Sequence, residues 1–297
     1  MFARVPDFDV EPHVLRITFA LLVTLVLAAS AEAAPRKQTP RLIFPVVGTV
    51  AYTDDFGDAR AGGRHEGNDI LASRHAPAVA VEAGKVEFWT TSAQAGCMLY
   101  LRGASGTTYL YIHLNNDLTS RNDNRGQCVA GTAYAPGLKS GMRVAAGELI
   151  GFVGDSGDAN GIHPHLHFEV HPNGGAAVDP YSFLQKAQPL LFYAKRGTTV
   201  SVTLAGTIVS SFAGGLELKA SEVQLNSSKP VAIRRTLALS VAPDAVVTSV
   251  LPGGFSGLAA LQRGLPAKVT TSPLRATLRA ARGDDNALVA SQIVLGA

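Results

Sequence analysis

Short apolar runs, separated by glycine and by polar segments, organise the chain from residue 41 to about residue 186. The region lacks the sustained three-to-four-residue spacing of apolar positions that marks an amphipathic helix. Short runs bounded by glycine are typical of β-strands. The pattern therefore predicts a mainly β domain of antiparallel strands and long loops. The predicted strands cover residues 78–86, 98–102, 107–114, 149–153 and 165–170.

A second pattern begins near Gly197. Apolar and polar residues alternate from Val200 to Leu204, and further β-prone runs follow at 216–220, 231–241 and 245–250. This half contains no histidine or cysteine, so it offers no cluster of side chains for chemistry. It predicts a small all-β domain, a sandwich or a barrel with a thin core, over residues 197–297. Residues 274–297 fit a helix and further strands equally well.

The N-terminal segment has the features of an export signal. Residues 17–29 are apolar, which is shorter than the roughly 20 residues of a membrane-spanning helix. Small residues follow at Ala29, Ala31 and Ala33, in the small-x-small spacing of signal peptidase sites. We therefore expect a signal peptide at 1–33, a linker at 34–44, and a protein exported to the periplasm, the cell wall or the medium. A buried N-terminal helix and an uncleaved anchor are the alternatives.

Composition narrows the class of partner. The 297 residues carry a formal net charge of only +3, and no basic run is interleaved with aromatic residues. That argues against a nucleic-acid-binding protein, although a polyanionic partner stays open. The two cysteines are Cys97 and Cys128. In an exported protein, a pair without CxxC spacing predicts a disulfide.

Three short segments carry candidate chemistry. The first, His65-Glu66-Gly67-Asn68-Asp69, places a histidine and a carboxylate four residues apart around a glycine. Both are good zinc ligands, although such a pair by itself is more often found on the surface. The second is Tyr111-Ile112-His113-Leu114, whose histidine alone would fit a buried, hydrogen-bonded role.

The third segment, His165-Leu166-His167-Phe168-Glu169-Val170, predicts a strand with both histidines on one face. Two adjacent imidazoles on a strand are unfavourable to bury without partners, so a metal-binding or catalytic use explains them better. The three segments together resemble the motifs of the lysostaphin/LytM-type zinc metalloendopeptidases, peptidase family M23, in the family's order. The resemblance extends over about residues 45–185 and includes Ala83-Gly84-Lys85-Val86, Leu149–Gly154 and Val178-Asp179-Pro180.

This resemblance implies a fold, a cofactor and a reaction. The peptidase domain, 45–187, is expected to have the antiparallel, duplicated-hybrid-motif-like fold of the family. His65, Asp69 and His167 are implied as the protein ligands of one Zn²⁺, which leaves a fourth position for water or substrate. His113 and His165 are implied as catalytic histidines that exchange protons or stabilise developing charge. Glu66, His75, His163 and His171 are interpreted as surface residues.

The implied function is hydrolysis of peptide bonds in bacterial peptidoglycan by a monomer, with no nucleic-acid partner and no membrane contact beyond the export signal. The alternative is a wall-binding or regulatory protein that activates another cell-wall hydrolase; some relatives of that kind lack metal ligands, which this sequence retains. An apparent insertion follows His113-Leu114 and contains Cys128. A disulfide to Cys97 would close a loop of about 30 residues and contribute about 3–4 kcal/mol. We expect this insertion to form one wall of the substrate groove.

Overall fold

The structure is a computed structural model that describes residues 41–89, 92–253, 257–284 and 287–297. The predicted signal peptide and residues 34–40 of the predicted linker lie outside the described residues. Within the described ranges, no helix is long and apolar enough to cross a membrane.

The first half of the described chain is built from eleven strands and one short helix. They are β1 (Val50–Ala51), β2 (Ala59–Arg60), β3 (Gly63–Arg64), β4 (Asn68–Ala72), β5 (Pro77–Val79), β6 (Gly84–Trp89), β7 (Cys97–Gly103), β8 (Thr108–Leu114), β9 (Arg143–Val144), β10 (Leu149–Phe152), β11 (His165–His171) and helix α1 (Tyr181–Lys186). Seven strands form one antiparallel sheet in the order β1-β4-β11-β8-β7-β6-β9. Two small pairs, β2–β3 and β5–β10, complete the strand pairing.

The central sheet has two chemically different faces. Because side chains alternate along a strand, one face of β11 carries Leu166 and Phe168, which are fully buried. That face packs into the main core with Tyr111 of β8 and Leu99 of β7. The opposite face carries the histidines of β11 and a separate small apolar cluster of Met98, Leu110 and Ile112. The sheet therefore presents a partly polar face on which a site can form.

Two local predictions for this half are wrong. The run predicted as one strand over 78–86 is divided between β5 and β6 by a turn. At that turn Glu82 is buried, and its carboxylate accepts hydrogen bonds from the backbone N–H (3.2 Å) and the hydroxyl (2.6 Å) of Ser105. The pattern also misses helix α1, which is too short to show periodicity. The carboxylate of Asp179 accepts a hydrogen bond from the N–H of Tyr181 at its start.

The second half forms a closed barrel. Its elements are β12 (Thr199–Val200), β13 (Val202–Phe212), β14 (Gly215–Leu225), β15 (Val231–Ser249), β16 (Pro266–Thr271), β17 (Leu274–Arg275), helix α2 (Leu278–Arg282) and β18 (Val289–Leu295). The barrel order is β13-β14-β15-β18-β16, and β12 pairs with β17 outside it. Among the described strand pairings of the barrel, β15–β18 alone is parallel. Of the two readings open for residues 274–297, both apply, because strands flank a short helix.

The barrel interior is almost entirely aliphatic. Leu204, Leu218, Leu239 and Ile293 are at most 2% exposed, and the alternation of the sequence places each of them inward. Three short 3-10 turns, Gly157–Ala159, Pro172–Gly174 and Leu258–Ala260, add no further layer. The expectation of a mainly β protein with a small β domain after the first is confirmed.

The segment between the sheet and the barrel is buried. Leu190 packs with Ile43, Val47 and Val79 of the first half, while Leu191 and its neighbour Phe192 lie in the barrel core. The described residues from 41 onward accordingly form one compact unit. The predicted domain boundaries within that unit stay predictions.

Candidate active site

Strand β4 and the turn before it bring the first motif to the polar face of the sheet. His65 is 5% exposed and Asp69 is partly buried. Between them, Gly67 lies against strand β11: a Cβ there would come 2.6 Å from Nε2 of His167 and 2.8 Å from the carbonyl oxygen of Phe168. Real Cβ atoms do not approach other atoms this closely. The motif therefore needs glycine at position 67 because there is no room for a side chain.

Replacing Gly67 with alanine is expected to push β11 and His167 away and to lower the free energy of unfolding by about 1–3 kcal/mol, the usual range for overpacking. Urea unfolding measures the difference. Gly62→Ala is the matched control in the adjacent β2–β3 hairpin, because a Cβ there would meet nothing within 4 Å. Equal unfolding midpoints for the two variants would contradict the steric explanation.

Strand β11 supplies the second histidine pair. In its antiparallel register with β4, His167 lies directly opposite Asp69. His165 and His167 project from the face opposite buried Leu166, as the alternation of the sequence predicts. Directly opposed residues on neighbouring strands have their Cβ atoms about 5 Å apart, close enough for both side chains to bind the same metal ion.

Three donor atoms converge at this point. Nε2 of His65 lies 2.9 Å from Nδ1 of His167 and 3.1 Å from Oδ1 of Asp69, and Nδ1 of His167 is also 3.1 Å from that oxygen. The three residues could hold one metal ion. The described structure thus brings together the three ligands implied by the sequence motifs.

The remaining nitrogens of the two imidazoles have their own hydrogen-bond acceptors. Nδ1 of His65 lies 2.8 Å from the carbonyl oxygen of Asp55, and Nε2 of His167 lies 3.0 Å from Oε1 of Glu169. Each N–H donated outward leaves a lone pair on the nitrogen that faces the other ligands, an assignment made from these hydrogen bonds. Two lone pairs and a carboxylate oxygen this close together need a proton or a metal cation between them. The donor set therefore fits zinc, which binds histidine nitrogen and carboxylate oxygen.

The electrostatics agree with a site built for a cation. Burial by itself would raise the pKa of Asp69, but hydrogen bonds with His167 and His65 outweigh it and hold that pKa far below its usual range. Burial would lower the pKa of His167, yet hydrogen bonds to Asp69 and Glu169 raise it to about 9. A metal ion entering the site would take the place of a proton, as is general for histidine ligands.

The two other histidines lie next to each other beside the three converging donors, and the Nδ1 of each faces a backbone carbonyl oxygen. Nδ1 of His113 lies 2.8 Å from the carbonyl oxygen of Ser156, and Nδ1 of His165 lies 3.0 Å from that of His163. Nε2 of His165 is 3.7 Å from Oδ1 of Asp69. The ring centroids of His113 and His165 are 5.0 Å apart. Both imidazoles therefore border the position where a bound substrate would meet the three converging donors.

His113 has an unusual backbone. Its φ is +60°, a left-handed conformation that non-glycine residues rarely adopt, and it lies within the irregularity of the β7–β8 register. Such conformations persist where surrounding contacts impose them, often at functional sites. Burial, together with the neighbouring charge of His165, lowers the pKa of His113 to about 4. At neutral pH its imidazole is uncharged.

The converging side chains lie in an open groove of about 610 Å³. Its walls come from the β2–β3 hairpin, from residues 92–95 and from residues 158–162. The insertion after Leu114 supplies none of the described lining residues, so the expectation that it forms a wall is wrong. The insertion instead contacts the segment that forms one wall: amide groups of Asn122 and Asn124 donate hydrogen bonds of 2.8 and 3.0 Å to Oδ1 of Asn160.

Cys97 and Cys128 are joined by a disulfide, with their Cα atoms 5.1 Å apart. Cys97 is buried at the start of β7, opposite Leu114 of β8. The bond therefore attaches the insertion to the sheet immediately beside His113. A second attachment is Arg74, whose guanidinium donates to the buried carboxylates of Asp117 and Asp155.

Sequence reasoning missed three residues around the ligands. Glu169, only 6% exposed, accepts hydrogen bonds from His167 and from His171, whose Nε2 is 2.6 Å from its Oε2. Burial alone would raise the pKa of Glu169, but these hydrogen bonds lower it. Arg60 donates to Oδ2 of Asp69 at 2.9 Å. The strand alternation that places His165 and His167 on one face could have identified Glu169 and His171 as well.

The exposed residues agree with their interpretation as surface positions. Glu66 is exposed at the groove and His163 is exposed on a loop, whereas His75 is half-buried in a turn. His171 differs, because it is partly buried against Glu169. Its contact with a carboxylate that holds a ligand gives it a supporting position that the sequence interpretation did not assign.

Comparison with known proteins finds relatives for the part of the chain that contains this site. Residues 128–180 match the sequence model of peptidase family M23. The resemblance to lysostaphin/LytM-type peptidases of this family, predicted from the motifs, is confirmed. The matched range contains His165 and His167, and the first motif precedes it.

Particular relatives share this part of the chain. The L-Ala--D-Glu endopeptidase of Bacillus subtilis is 31% identical over 152 residues, which are 48% of this chain and 41% of that protein. The peptidoglycan DD-endopeptidase ShyC of Vibrio cholerae is 28% identical over 46% of this chain and 24% of that protein. The catalytic domain of lysostaphin from Staphylococcus simulans aligns with 46% of this chain and 92% of its own, with 26% identity and a TM-score of 0.36. The chain thus spans less than half the length of these two curated relatives.

Proposed function

We propose that this chain is an exported, zinc-dependent endopeptidase that hydrolyses peptide bonds in bacterial peptidoglycan. The observation that carries the proposal is the convergence of His65, Asp69 and His167, with each imidazole oriented by a separate acceptor. Metal-binding histidines usually have such an acceptor, which fixes the tautomer. One zinc ion per chain fits this set and leaves a position for water or substrate.

When bound, zinc supplies a Lewis acid and lowers the pKa of a coordinated water toward 7. The chain's own residues supply orientation and proton movement. The neutral imidazole of His113 can accept a hydrogen bond at Nε2 from a water in the groove. His165, whose ring centroid lies 5.0 Å from that of His113, can pass a proton to the leaving amine or stabilise the carbonyl oxygen as it gains charge.

The proposed substrate class is inferred from the names of the relatives. The names of the two curated relatives describe endopeptidases, and one of them names peptidoglycan. An open groove suits a polymer better than a closed pocket would, since a chain can enter and leave at both ends. Export follows from the signal-like N-terminal segment, and a monomer with peptidoglycan as its partner is the simplest form of the proposal.

Removing the buried charge of Glu169 is expected to weaken zinc binding. In Glu169→Gln a neutral amide replaces the carboxylate that holds His167, and zinc affinity should fall about tenfold, the lower end for partners of metal ligands. Competition with a zinc chelator measures the affinity. Glu66→Gln removes a carboxylate from the same groove at an exposed position and should leave the affinity unchanged. Equal losses in both variants would indicate a general charge effect.

The proposed reaction is tested with purified peptidoglycan and the zinc-loaded protein. Mass spectrometry of the soluble fragments should show new amine termini that disappear when zinc is chelated and return when zinc is restored. The masses would also identify the bond that is cut. Absence of fragments from every wall type, despite bound zinc, would overturn the endopeptidase and favour the regulatory alternative.

A further inference from the structure

A second groove of about 720 Å³ lies on the same face of the central sheet, beside the candidate active site. Its floor includes Trp89 of β6 together with Tyr100 and Arg102 of β7, here called the aromatic platform. Trp89 is 47% exposed, which is high for the largest apolar side chain of a protein. None of these residues has a part in the proposed reaction.

The aromatic platform is continuous with the active-site groove. Glu169 of β11 is paired with Leu110 of β8, and Leu110 is paired with Tyr100 of β7. Adjacent strands are about 4.8 Å apart, so this row carries the surface about 10 Å from Glu169 to the platform. His171 borders the second groove and bonds to Glu169, which borders the first. A polymer seated at the ligands can therefore extend across the platform.

The platform combines flat apolar surface with polar groups at its edge. Trp89 and Tyr100 meet edge to face, with ring centroids 6.0 Å apart. The guanidinium carbon of Arg102 lies 5.7 Å from the centroid of Tyr100. Nε of Arg102 donates to Glu87 at 2.7 Å, and Nζ of Lys85 is 3.9 Å from the same carboxylate. The charges at the edge are thus largely paired with one another.

We propose that the aromatic platform binds hexopyranose rings of the glycan strand that carries the scissile peptide. A pyranose ring has a face of C–H groups that packs on an aromatic ring and a rim of hydroxyls that bond to polar groups, the combination found here. A surface that binds an acidic peptide would present unpaired cations, whereas Lys85 and Arg102 are paired with Glu87. An apolar side chain would be met by a closed apolar pocket. The proposal rests on peptidoglycan as the substrate.

Trp89 is the only tryptophan of the chain, so intrinsic tryptophan fluorescence reports on the platform alone. The zinc-loaded protein is titrated with peptide-free glycan strands and, separately, with glycan-free cross-linked stem peptides. The glycan strands should change the emission saturably, because they cover a half-exposed indole, and the peptides should not. No change with glycan, or an equal change with peptide, would overturn the proposal.

Two variants locate the binding. Tyr100→Ala should weaken the glycan affinity roughly tenfold, as truncation of an aromatic anchor does. Arg102→Gln should weaken it less while keeping the aromatic surface. Phe212→Ala is the matched control, since it removes a ring of similar exposure, 52%, from the barrel and should leave the affinity unchanged. Wild-type affinity in both platform variants would overturn the assignment.

The fluorescence measurement does not depend on hydrolysis, which separates the two proposals. Glycan binding without any cleaved bond would leave the platform standing and remove the proposed function. Cleavage of peptidoglycan without a change in Trp89 emission would support the proposed function and overturn the aromatic platform as a glycan site.

Discussion

In His167→Ala we expect zinc binding to be lost and the proposed hydrolysis of peptidoglycan to fall by at least about 10³-fold, because a bound metal lowers the barrier by several kcal/mol. His167 contributes one of the three converging donors, and its loss also leaves the buried carboxylate of Glu169 without one of its donors. Elemental analysis of the purified variant gives the zinc content, and mass spectrometry of released fragments gives the activity.

The control for this variant is His163→Ala. His163 is only four residues away, but it lies exposed on the loop before β11, with its Nδ1 2.8 Å from the carbonyl oxygen of Pro164. It should retain one zinc ion per chain and wild-type hydrolysis. If His167→Ala kept its zinc at wild-type stoichiometry, the ligand set proposed here would be incorrect.

Substitution of the other two histidines should separate metal binding from catalysis. In His165→Ala and His113→Asn the zinc content is expected to stay near one per chain, while hydrolysis falls about 10²–10⁴-fold, the usual effect of removing a group that moves protons. Asparagine is chosen at position 113 because it tolerates the left-handed backbone found there, so the fold is preserved.

His75→Ala controls for the loss of a histidine as such. It is half-buried in a turn, and its Nε2 lies 3.3 Å from the carbonyl oxygen of Asp117, away from the groove lining. Its activity should match the wild type. Loss of zinc from His165→Ala or His113→Asn would mean that these residues bind the metal, and full activity in both would remove their proposed catalytic roles.

The geometry of the ligands was largely predictable because it depends on local periodicity. In strand β11, the two-residue period alone separates His165 and His167 from Leu166 and Phe168, and buried apolar partners fix the register. The motif order then indicated which strands had to meet. That information is contained in short segments, where sequence patterns are most reliable.

Residues that support the ligands were harder to find because their partners are distant in sequence. Glu169 follows His167 in an evident alternation, yet a carboxylate on a strand face is usually solvent-exposed. Arg60 reaches Asp69 only because the β2–β3 hairpin folds over the site. The position of the insertion depends on Asn160, which is 36 residues beyond Asn124. Such pairings depend on tertiary packing, which no local pattern records.

In the C-terminal half, too, the local pattern predicted the strands but not the pairings between distant segments. Alternation predicted a small β domain with a thin core, a sandwich or a barrel, but it could not choose between these two architectures. Closure requires β18 to pair in parallel with β15 and antiparallel with β16, a relation among three distant segments. The core also takes Phe192 from the connecting segment, which supplies a buried aromatic ring, whereas Phe212 at the end of strand β13 is exposed.

The buried connection between sheet and barrel limits how far the two parts can move relative to each other. Flexible linkers let a binding module search a volume around its catalytic partner. Here Leu190 and Phe192 are held in packed cores on either side of the connection, so movement of one part would expose apolar surface. Any wall component held by the barrel would consequently lie at a constant distance and angle from the ligand cluster. Cleavage would then fall at a defined spacing from the point of attachment, and the fragments would show a regular length.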